Sequence, residues 1–373
     1  MQDLTVDAEY LGRVLRELLM IPSPSGMTDE IVGYTCRRLG ELDIPFELTR
    51  RGAIRADLTG KKSSPDRAIV SHLDTLGAMV KGYRDNGRLE VVPIGTWSAR
   101  FAEGARVTVY SDDGRRFQGT LLPLKASGHV YNEDIDTQPI AWTNLELRLD
   151  ERVASEADLR QLGVNVGDTI SIHPGPIFTD NGFISSRHLD DKAGVAAILA
   201  AAKALRDTGT PLPIDCHLVF TISEEVGVGA SHVLHGDVAE LISIDNGTLA
   251  PNQYTSEYGV TIAMQDSSGP FDWHLTRSLL GICASHGIEF SRDVFRYYRS
   301  DAASAVEAGN DIRAALVCFA LDSSHGYERT HMDSLLSLSR LLVLYMQSKP
   351  LFVRDEEVMG PVGDLPLRKG GQA

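Results

Sequence analysis

Apolar positions near the start of the chain recur with the period of an α-helix. Residues 8–20 show this 3.6-residue period, and the prolines and glycine within residues 22–26 predict where the helix ends. A second helix is predicted over 28–39, with Thr28 as its N-cap and Glu30 in its first turn. The apolar run RAIVSHLDT further on predicts a short strand with polar groups at its end.

The segment from about 80 to 176 has a different pattern, in which short alternating runs are separated by turn signals. The runs include RLEVVPIG, ARVTVYSDDGRRFQGTLLPL and DTISIHPG, and the turn signals include RDNG and SDDG. Alternation of apolar and polar residues between such turns is typical of antiparallel strands. We therefore expect a small all-β module, a barrel, inserted into another domain.

After this module, predicted strands alternate with predicted helices. Helices are expected over 192–205, 271–286 and 334–346, and strands over 214–222, 239–244, 259–264 and 314–321. This alternation predicts an α/β fold with a mixed, mostly parallel sheet sandwiched by helices. The predicted domains are a discontinuous catalytic domain, the inserted β-barrel and dimerisation domain, and a loose C-terminal tail, over 1–79 with 177–350, 80–176 and 351–373 respectively.

Charge and cysteine usage narrow the function classes. The chain has 373 residues, and its 36 basic against 51 acidic residues give a net charge of −15. Such a surface repels nucleic acid and anionic membrane, so neither is expected as a partner. The acidic, amphipathic N-terminus does not resemble a signal peptide, and no apolar stretch reaches the ~20 residues of a membrane span. Four scattered cysteines without a CxxC pair predict reduced thiols in a cytoplasmic protein.

Polar residues that can carry chemistry follow the apolar strands. They are His72 and Asp74 in SHLDT, Asp190 and Asp191 in RHLDDKAG, Glu224 and Glu225 in SEEVG, Asp245 in ISIDNG, and His325 in DSSHGYE. In open parallel sheets, ligands bind outside the carboxyl ends of the strands. We therefore expect these side chains to converge at one edge of the sheet.

Several carboxylates can share one site while charged only if cations neutralise them. Two imidazoles with several carboxylates suit zinc, cobalt or manganese better than calcium. An odd ligand number with one bridging carboxylate suits two metal ions about 3.5 to 4 Å apart. Asp74 lies two residues from His72, on the same side of a strand, where it can hold the second ring nitrogen.

Each motif alone also has an ordinary structural interpretation. An acidic pair before a helix is commonly an N-cap, and an acidic pair after a strand is commonly a solvated turn. Asp245 before Asn-Gly can be a turn, and His325 can be a loop histidine with His331 as a competing ligand. Consecutive glutamates at a strand end point apart, so one can be a ligand and the other a general base.

The ordered motifs HLDTLG, RHLDDKAG, TISEEVG, IDNGT and SHGYE resemble those of the tetrahedral (TET-type) aminopeptidases. These are the glutamyl aminopeptidase and "cellulase M" relatives of peptidase family forty-two. The likeness covers about residues 11–346, including the inserted β module. It implies a zinc-peptidase-like fold and a homo-oligomer, often a dodecamer. The whole-chain pattern is most similar to a bacterial subgroup linked to an N-acetylglutaminylglutamine amide osmoprotectant.

The resemblance also implies roles for individual residues. His72, Asp190, Glu225, Asp245 and His325 would bind two divalent metal ions per subunit, zinc being expected and cobalt or manganese also suitable. Asp190 would bridge the two ions, Asp191 would follow it, and Asp74 would orient His72. Glu224 would be the general base. Asp301, in RSDAASA, would lie near the substrate's amino end.

One segment departs from the family pattern. The family usually reads Arg-Tyr-Ile-His-Ser-Pro before its last helix, whereas this chain reads DSSHGYERTH. Counting from the preceding strand still aligns His325 with the family's last ligand. The residues around it differ from the family pattern, and the pocket beside it is expected to differ as well. Substrate preference is therefore open at this point.

The functional hypothesis is a metallo-aminopeptidase that hydrolyses the N-terminal peptide bond of short peptides through a metal-bridging water. The first alternative is a metal-dependent amide hydrolase or deacylase that acts on a small N-acetylated dipeptide osmolyte. The second is a non-catalytic assembly protein on the same fold. A glycosidase is disfavoured because its two carboxyl groups must face each other across the scissile bond, which adjacent residues do poorly.

Overall fold

The computed structural model describes residues 1–352, so the predicted tail, 351–373, lies outside the described residues apart from its first two positions. Helices α1–α10 cover Ala8–Met20, Asp29–Glu41, Ala99–Ala102, Gly128–Tyr131, Asp134–Thr137, Glu156–Leu162, Leu189–Thr208, Trp273–His286, Asp301–Glu307 and Met332–Gln347. Strands β1–β18 cover Phe46–Leu48, Ile54–Leu58, Asp66–His72, Gly77–Tyr83, Leu89–Ile94, Arg106–Tyr110, Arg116–Pro123, Leu145–Leu149, Thr169–Ile172, Ile177–Phe178, Phe183–Ser186, Cys216–Thr221, Val238–Thr248, Val260–Asp266, Gly269–Pro270, Phe290–Val294, Arg313–Leu321 and Glu328–His331.

The main sheet has the strand order β1-β2-β12-β3-β13-β17-β14-β15, with β16 paired to β14. Its central strands β12, β3, β13 and β17 are parallel, whereas β2 and β14 join them in antiparallel orientation. The central strands are buried almost throughout, because helices cover both of their faces. This confirms the predicted mixed, mostly parallel α/β sheet.

Two helices pack against the central strands from opposite sides. Ser71 contacts the start of α7, while Thr221, which pairs with His72 across the sheet, contacts Asp301 at the start of α9. Because adjacent residues of a strand point to opposite faces, α7 and α9 cover opposite faces of the sheet. Helix α7 is buried along most of its length, since α1 and α10 pack over it.

The inserted module is a closed antiparallel barrel. Strands β4-β5-β8-β7-β6-β9 close on themselves, and a separate apolar core fills the interior. Alternating burial along β7 shows why the alternating sequence pattern indicated this architecture. The barrel strands begin at Gly77, three residues before the predicted start of the module at 80.

The N-terminal helices lie close to their predicted positions. Helix α1 spans the predicted residues 8–20, and Asp7 caps it by accepting the Tyr10 N–H. Thr28 occupies the N-cap position of α2, but its side chain makes no capping hydrogen bond. Among residues 1–352, no helix combines the length and apolar character that a membrane crossing requires.

Candidate metal centre

The predicted polar residues meet where the central strands end. Strand β3 ends at His72, and its parallel neighbour β12 ends at the paired residue Thr221, directly before the segment that carries Glu224. Continuing the β3–β13 register by two residues sets Asp245 level with His72. The shared end of a parallel sheet thus gathers residues that are far apart in sequence.

The first group of ligand atoms comes from His72, Asp190 and Asp245, and these atoms all lie within 4.8 Å of one another. The Nε2 atom of His72 is 3.2 Å from the Oδ1 atom of Asp190. All three residues are buried, so these polar groups face one another and not water.

The second group consists of Asp190, Glu225 and His325, again with ligand atoms within 4.8 Å. The Nε2 atom of His325 is 3.4 Å from Asp190 Oδ2 and 3.7 Å from Glu225 Oε2. Asp190 belongs to both groups, with one carboxylate oxygen facing His72 and the other facing His325. The structure therefore brings together all five predicted ligand residues around one shared carboxylate.

The two adjacent glutamates point to different histidines. Glu224 Oε2 lies 3.8 Å from His72 Nε2, whereas Glu225 approaches His325. Their side chains diverge because they are consecutive residues in the turn after β12. Glu225 is buried, while Glu224 keeps partial contact with solvent.

Asp74 differs in detail from its predicted interaction. The main-chain carbonyl of Asp74 accepts a 2.8 Å hydrogen bond from His72 Nδ1, while its carboxylate lies 3.6 Å from that nitrogen. The carboxylate instead accepts the main-chain N–H of Glu224 at 3.1 Å and the hydroxyl of Ser25. Asp74 therefore orients the imidazole through its backbone and the Glu224 segment through its side chain.

Sequence reasoning assigned no role to Glu328, although the quoted motif SHGYE ends with it. Its Oε2 atom accepts the main-chain N–H groups of Leu189 at 2.7 Å and Asp190 at 3.3 Å, and its Oε1 atom accepts that of His325 at 3.0 Å. His325 has a φ of 66°, in the left-handed region that a non-glycine residue rarely adopts. The buried carboxylate thus connects the start of α7 to the loop that carries His325. An acid three residues after a candidate ligand was the available sequence signal.

Asn246 is a second residue that the sequence did not single out, because Asn-Gly after a strand is typical of a turn. Its Nδ2 atom donates to Asp190 Oδ2 at 2.9 Å and to Asp245 Oδ1 at 3.0 Å. The expected turn is in fact part of β13, which continues to Thr248. Asn246 therefore links the shared carboxylate to a carboxylate of the first group.

Three other candidates lie beside the cluster or away from it. His331 caps α10 through the Asp333 N–H, and its other ring nitrogen bonds to the Asn181 carbonyl, so it does not compete with His325. Asp191 Oδ2 accepts from Ser71 and from the main chain of His72. Asp301 is buried at the start of α9 and accepts a 2.7 Å hydrogen bond from Thr221.

The cluster has strongly perturbed acidities. Burial, followed by repulsion from neighbouring carboxylates, raises the pKa of Glu224 and Asp245 well above the usual range, and raises the pKa of Glu225 to about 8. Burial opposes the charging of His325, but Asp190 and Glu225 raise its pKa to about 10. Burial likewise disfavours the Asp190 anion, yet hydrogen bonds from both imidazoles lower its pKa. Without cations, protons must therefore neutralise much of this cluster.

The donor set fits divalent metal ions. Two imidazoles and three carboxylates are ligands suited to zinc, cobalt or manganese. The carboxylate oxygen Asp191 Oδ1 and the amide oxygen Asn246 Oδ1 are buried beside the ligands without a hydrogen-bond partner. Cations would supply the positive charge that these buried oxygens and carboxylates lack.

Comparisons with known proteins agree with this fold. The chain is 36% identical over 335 residues to "Putative aminopeptidase YhfE" of Bacillus subtilis (strain 168). The aligned region covers 90% of this chain and 96% of that protein. An aminopeptidase of the archaeon Desulfurococcus kamchatkensis superposes with a TM-score of 0.84 at 22% identity, covering 95% of this chain and 98% of the other. The TET1 peptidase of Pyrococcus horikoshii superposes with a TM-score of 0.80 at 22% identity, covering 91% and 100%.

A family profile matches most of the chain. The family described as "M42 glutamyl aminopeptidase" matches residues 52–341, which include the barrel and every residue of the candidate metal centre. Together with the Bacillus relative, this match identifies the chain as a peptide hydrolase that belongs to the M42 glutamyl aminopeptidase family.

Proposed function

We propose that the chain is a dinuclear metal-dependent aminopeptidase that hydrolyses the N-terminal peptide bond of short peptides. The observation that supports this most directly is the sharing of Asp190 between two groups of ligand atoms. In this proposal His72 and Asp245 would hold one ion, Glu225 and His325 would hold the other, and Asp190 would be available to both. When bound, the two ions polarise the scissile carbonyl and lower the pKa of the attacking water.

Glu224 is the proposed general base. Its carboxylate faces the ligand cluster from the His72 side, and Asp74 anchors its main chain. In this position Glu224 takes a proton from the attacking water and then gives that proton to the leaving amine, so no proton is consumed overall. The surrounding carboxylates, including Asp301, provide negative charge for the substrate's free amino terminus.

Steady-state hydrolysis of aminoacyl anilides, combined with metal analysis, tests this assignment. Glu224→Gln should lower kcat by about 10²- to 10⁴-fold, the usual contribution of general acid–base catalysis, with the metal content unchanged. The matched variant of the neighbouring residue, Glu225→Gln, should lose metal as well as activity. Full activity in Glu224→Gln would overturn the role of Glu224 as base.

The same assay separates the aminopeptidase from the N-acetylated dipeptide hydrolase. An enzyme that requires a free amino group should cleave dipeptides and fail on their N-acetyl forms, and a deacylase should show the opposite preference. The link to an osmoprotectant system stays a prediction from the sequence pattern, and efficient cleavage of the N-acetylated dipeptide amide would support it. A protein that binds the ions but cleaves none of these substrates would match the non-catalytic alternative.

We further propose a homo-oligomer, in which the barrel within 80–176 mediates subunit contacts and the segments 1–79 and 177–350 form the catalytic domain. Solved structures of the same fold are described as a dodecamer, and as a peptidase that assembles into a tetrahedron or a large octahedral shell. Light scattering coupled to size-exclusion chromatography measures the subunit number directly. A monomer of about 41 kDa would contradict this proposal.

A further inference from the structure

A second cluster of metal-ligand residues lies at the other end of the central strands. Asp57, His217 and His235 place one ligand atom each within 4.8 Å of the others. His217 is the second residue of β12, so it precedes Thr221, at the catalytic end of this strand, by about 13 Å along the strand. This cluster shares no residue with the candidate metal centre.

The strand register explains how the cluster forms. His217 pairs directly with Asp57 across the antiparallel β2–β12 ladder, so their side chains lie on the same face of the sheet. His217 also pairs with Ala68 of β3, and Asp66 lies two residues earlier on that strand, on the same face. Two carboxylates therefore flank one imidazole from neighbouring strands.

The loop that follows β12 brings the third residue. Arg55 of β2 donates hydrogen bonds to the carbonyls of Val233 at 2.6 Å and Leu234 at 3.3 Å, which holds the chain just before His235. Gly236 follows with a φ of 70°, and a Cβ atom there would lie 2.3 Å from Asp66 Oδ2. Only glycine therefore lets the loop pass this closely over the cluster.

The ligand atoms converge on one carboxylate oxygen. Asp57 Oδ1 lies 2.7 Å from His217 Nδ1 and 2.9 Å from His235 Nε2, and the two imidazole centroids are 4.1 Å apart. Side-chain exposure is 42% for Asp57, 22% for His235 and 7% for His217, so the cluster is rooted in the sheet and open on one side. Solvent ligands can reach that open side.

The surroundings of the far side of the His217 ring also favour a cation at this cluster. His217 Nε2 is buried without a hydrogen-bond partner and lies 3.3 Å from Asp66 Oδ2. Only 3% of the surface of Asp66 is exposed, and its Oδ1 atom also lacks a hydrogen-bond partner. If neutral His217 donated its only N–H to Asp57, a ring lone pair would face the Asp66 carboxylate. A cation on Nδ1 places the N–H on Nε2 instead, toward Asp66, as in carboxylate–histidine–zinc arrangements.

We propose that Asp57, His217 and His235 bind one divalent transition-metal cation of the zinc class, with Asp66 orienting the His217 ring and water completing the coordination. Two imidazoles and one carboxylate with open positions form a typical zinc ligand set. The site joins β2 and β12 to the end of the loop 222–237, whose first residues include Glu224 and Glu225. When bound, the cation would hold the loop that carries the proposed base against the sheet, and its ligands are separate from those of the proposed peptidase centre.

Metal stoichiometry tests this proposal on the full-length enzyme. After chelation and equilibrium dialysis against zinc, elemental analysis should find one more zinc per subunit in the wild type than in His235→Gln. The matched control is His232→Gln, since His232 is an exposed histidine of the same loop and should bind as many zinc ions as the wild type. Asp57→Asn, which keeps the side-chain shape, should also lack one zinc. Asp66→Asn should keep the site but weaken zinc binding by about 10- to 100-fold.

A second measurement needs no substitution. Zinc should protect His235 from diethyl pyrocarbonate, as mapped by peptide mass spectrometry, and should leave His232 reactive. Equal zinc content in the wild type, His235→Gln and Asp57→Asn would overturn the proposal, as would unchanged reactivity of His235 with zinc. The cluster would then be a His–Asp–His hydrogen-bond network without a cation.

Discussion

The main-chain N–H of Glu224 donates a 3.1 Å hydrogen bond to Oδ1 of Asp74, a residue 150 positions earlier in the chain. This bond joins the ends of β3 and β12, so the strand that carries His72 also positions the segment that carries the proposed base. Asp74 is fully buried and has no direct place among the ligand atoms. We therefore propose that Asp74 is a positioning residue.

Asp74→Ala should lower kcat by about 10- to 100-fold, the usual effect of removing an outer partner at a metal site. The reason is that both the Glu224 segment and the Ser25 hydroxyl lose their acceptor. Asp74→Asn, which keeps one acceptor oxygen, should lose less. Kinetics on an aminoacyl anilide with metal analysis will measure this, and equal losses in both variants would contradict a positioning role.

Glu328→Gln should weaken metal binding at the His325 side of the centre by about 10- to 100-fold. Glu328 accepts three main-chain N–H groups, and an amide replaces one of its acceptor oxygens with a donor. Competition with a chelator measures the affinity. Unchanged affinity would mean that the loop holds His325 without this carboxylate.

His325→Gln should lose metal and activity, whereas His331→Gln should keep both. His331 caps α10, so its substitution should lower the free energy of unfolding by about 1 kcal/mol, as for other N-cap residues. Elemental analysis and denaturant unfolding check the two effects on the same samples. Metal loss in His331→Gln would reverse the assignment of the last ligand.

Stability of the metal-free protein should fall as the pH rises from about 5 to 9. Burial, then Asp190, raise the pKa of Glu328 to about 8, while carboxylates around His325 overcome its burial and raise its pKa to about 10. The folded state then binds more protons than the unfolded chain over this range, so the free energy of unfolding decreases with pH. The lowered pKa of Asp190 acts only at lower pH, because its stabilisation is complete above the unfolded value of 3.8.

Thermal melting in chelator across this pH range measures the effect. Melting temperatures in saturating metal should depend on pH much less, because cations and not protons then neutralise the carboxylates. A metal-free melting temperature that rises with pH would contradict the prediction.

Glu240→Gln should lower the free energy of unfolding by about 3 to 5 kcal/mol, because it leaves the buried Arg67 charge without its counter-ion. Both residues are almost fully buried, and Arg67 Nη2 lies 3.6 Å from Glu240 Oε2. The control is Asp150→Asn at the exposed pair with Arg106, which should change stability little. Denaturant unfolding compares the two variants, and equal small effects would contradict the argument.

The local structure and the chemical character of this protein were predictable from its sequence. Helical periodicity located α1 at residues 8–20, and the alternating runs indicated the barrel, because these patterns reflect which side of each element is buried. The ordered motifs also indicated the peptidase family, which the comparisons confirm. Candidate ligands could be named because polar residues directly after apolar strands are conspicuous along a chain.

Which groups meet, and through which atoms, could be seen only in the folded structure. Strand order and the paths of the loops place Asp190 between both histidines. They also bring the Asp74 carbonyl to His72, and Glu328 to three main-chain N–H groups. The His217 cluster likewise exists only because β2, β12 and β3 are neighbours in the sheet. Sequence patterns record burial along one element, whereas contacts between elements are set by the packing of the whole sheet.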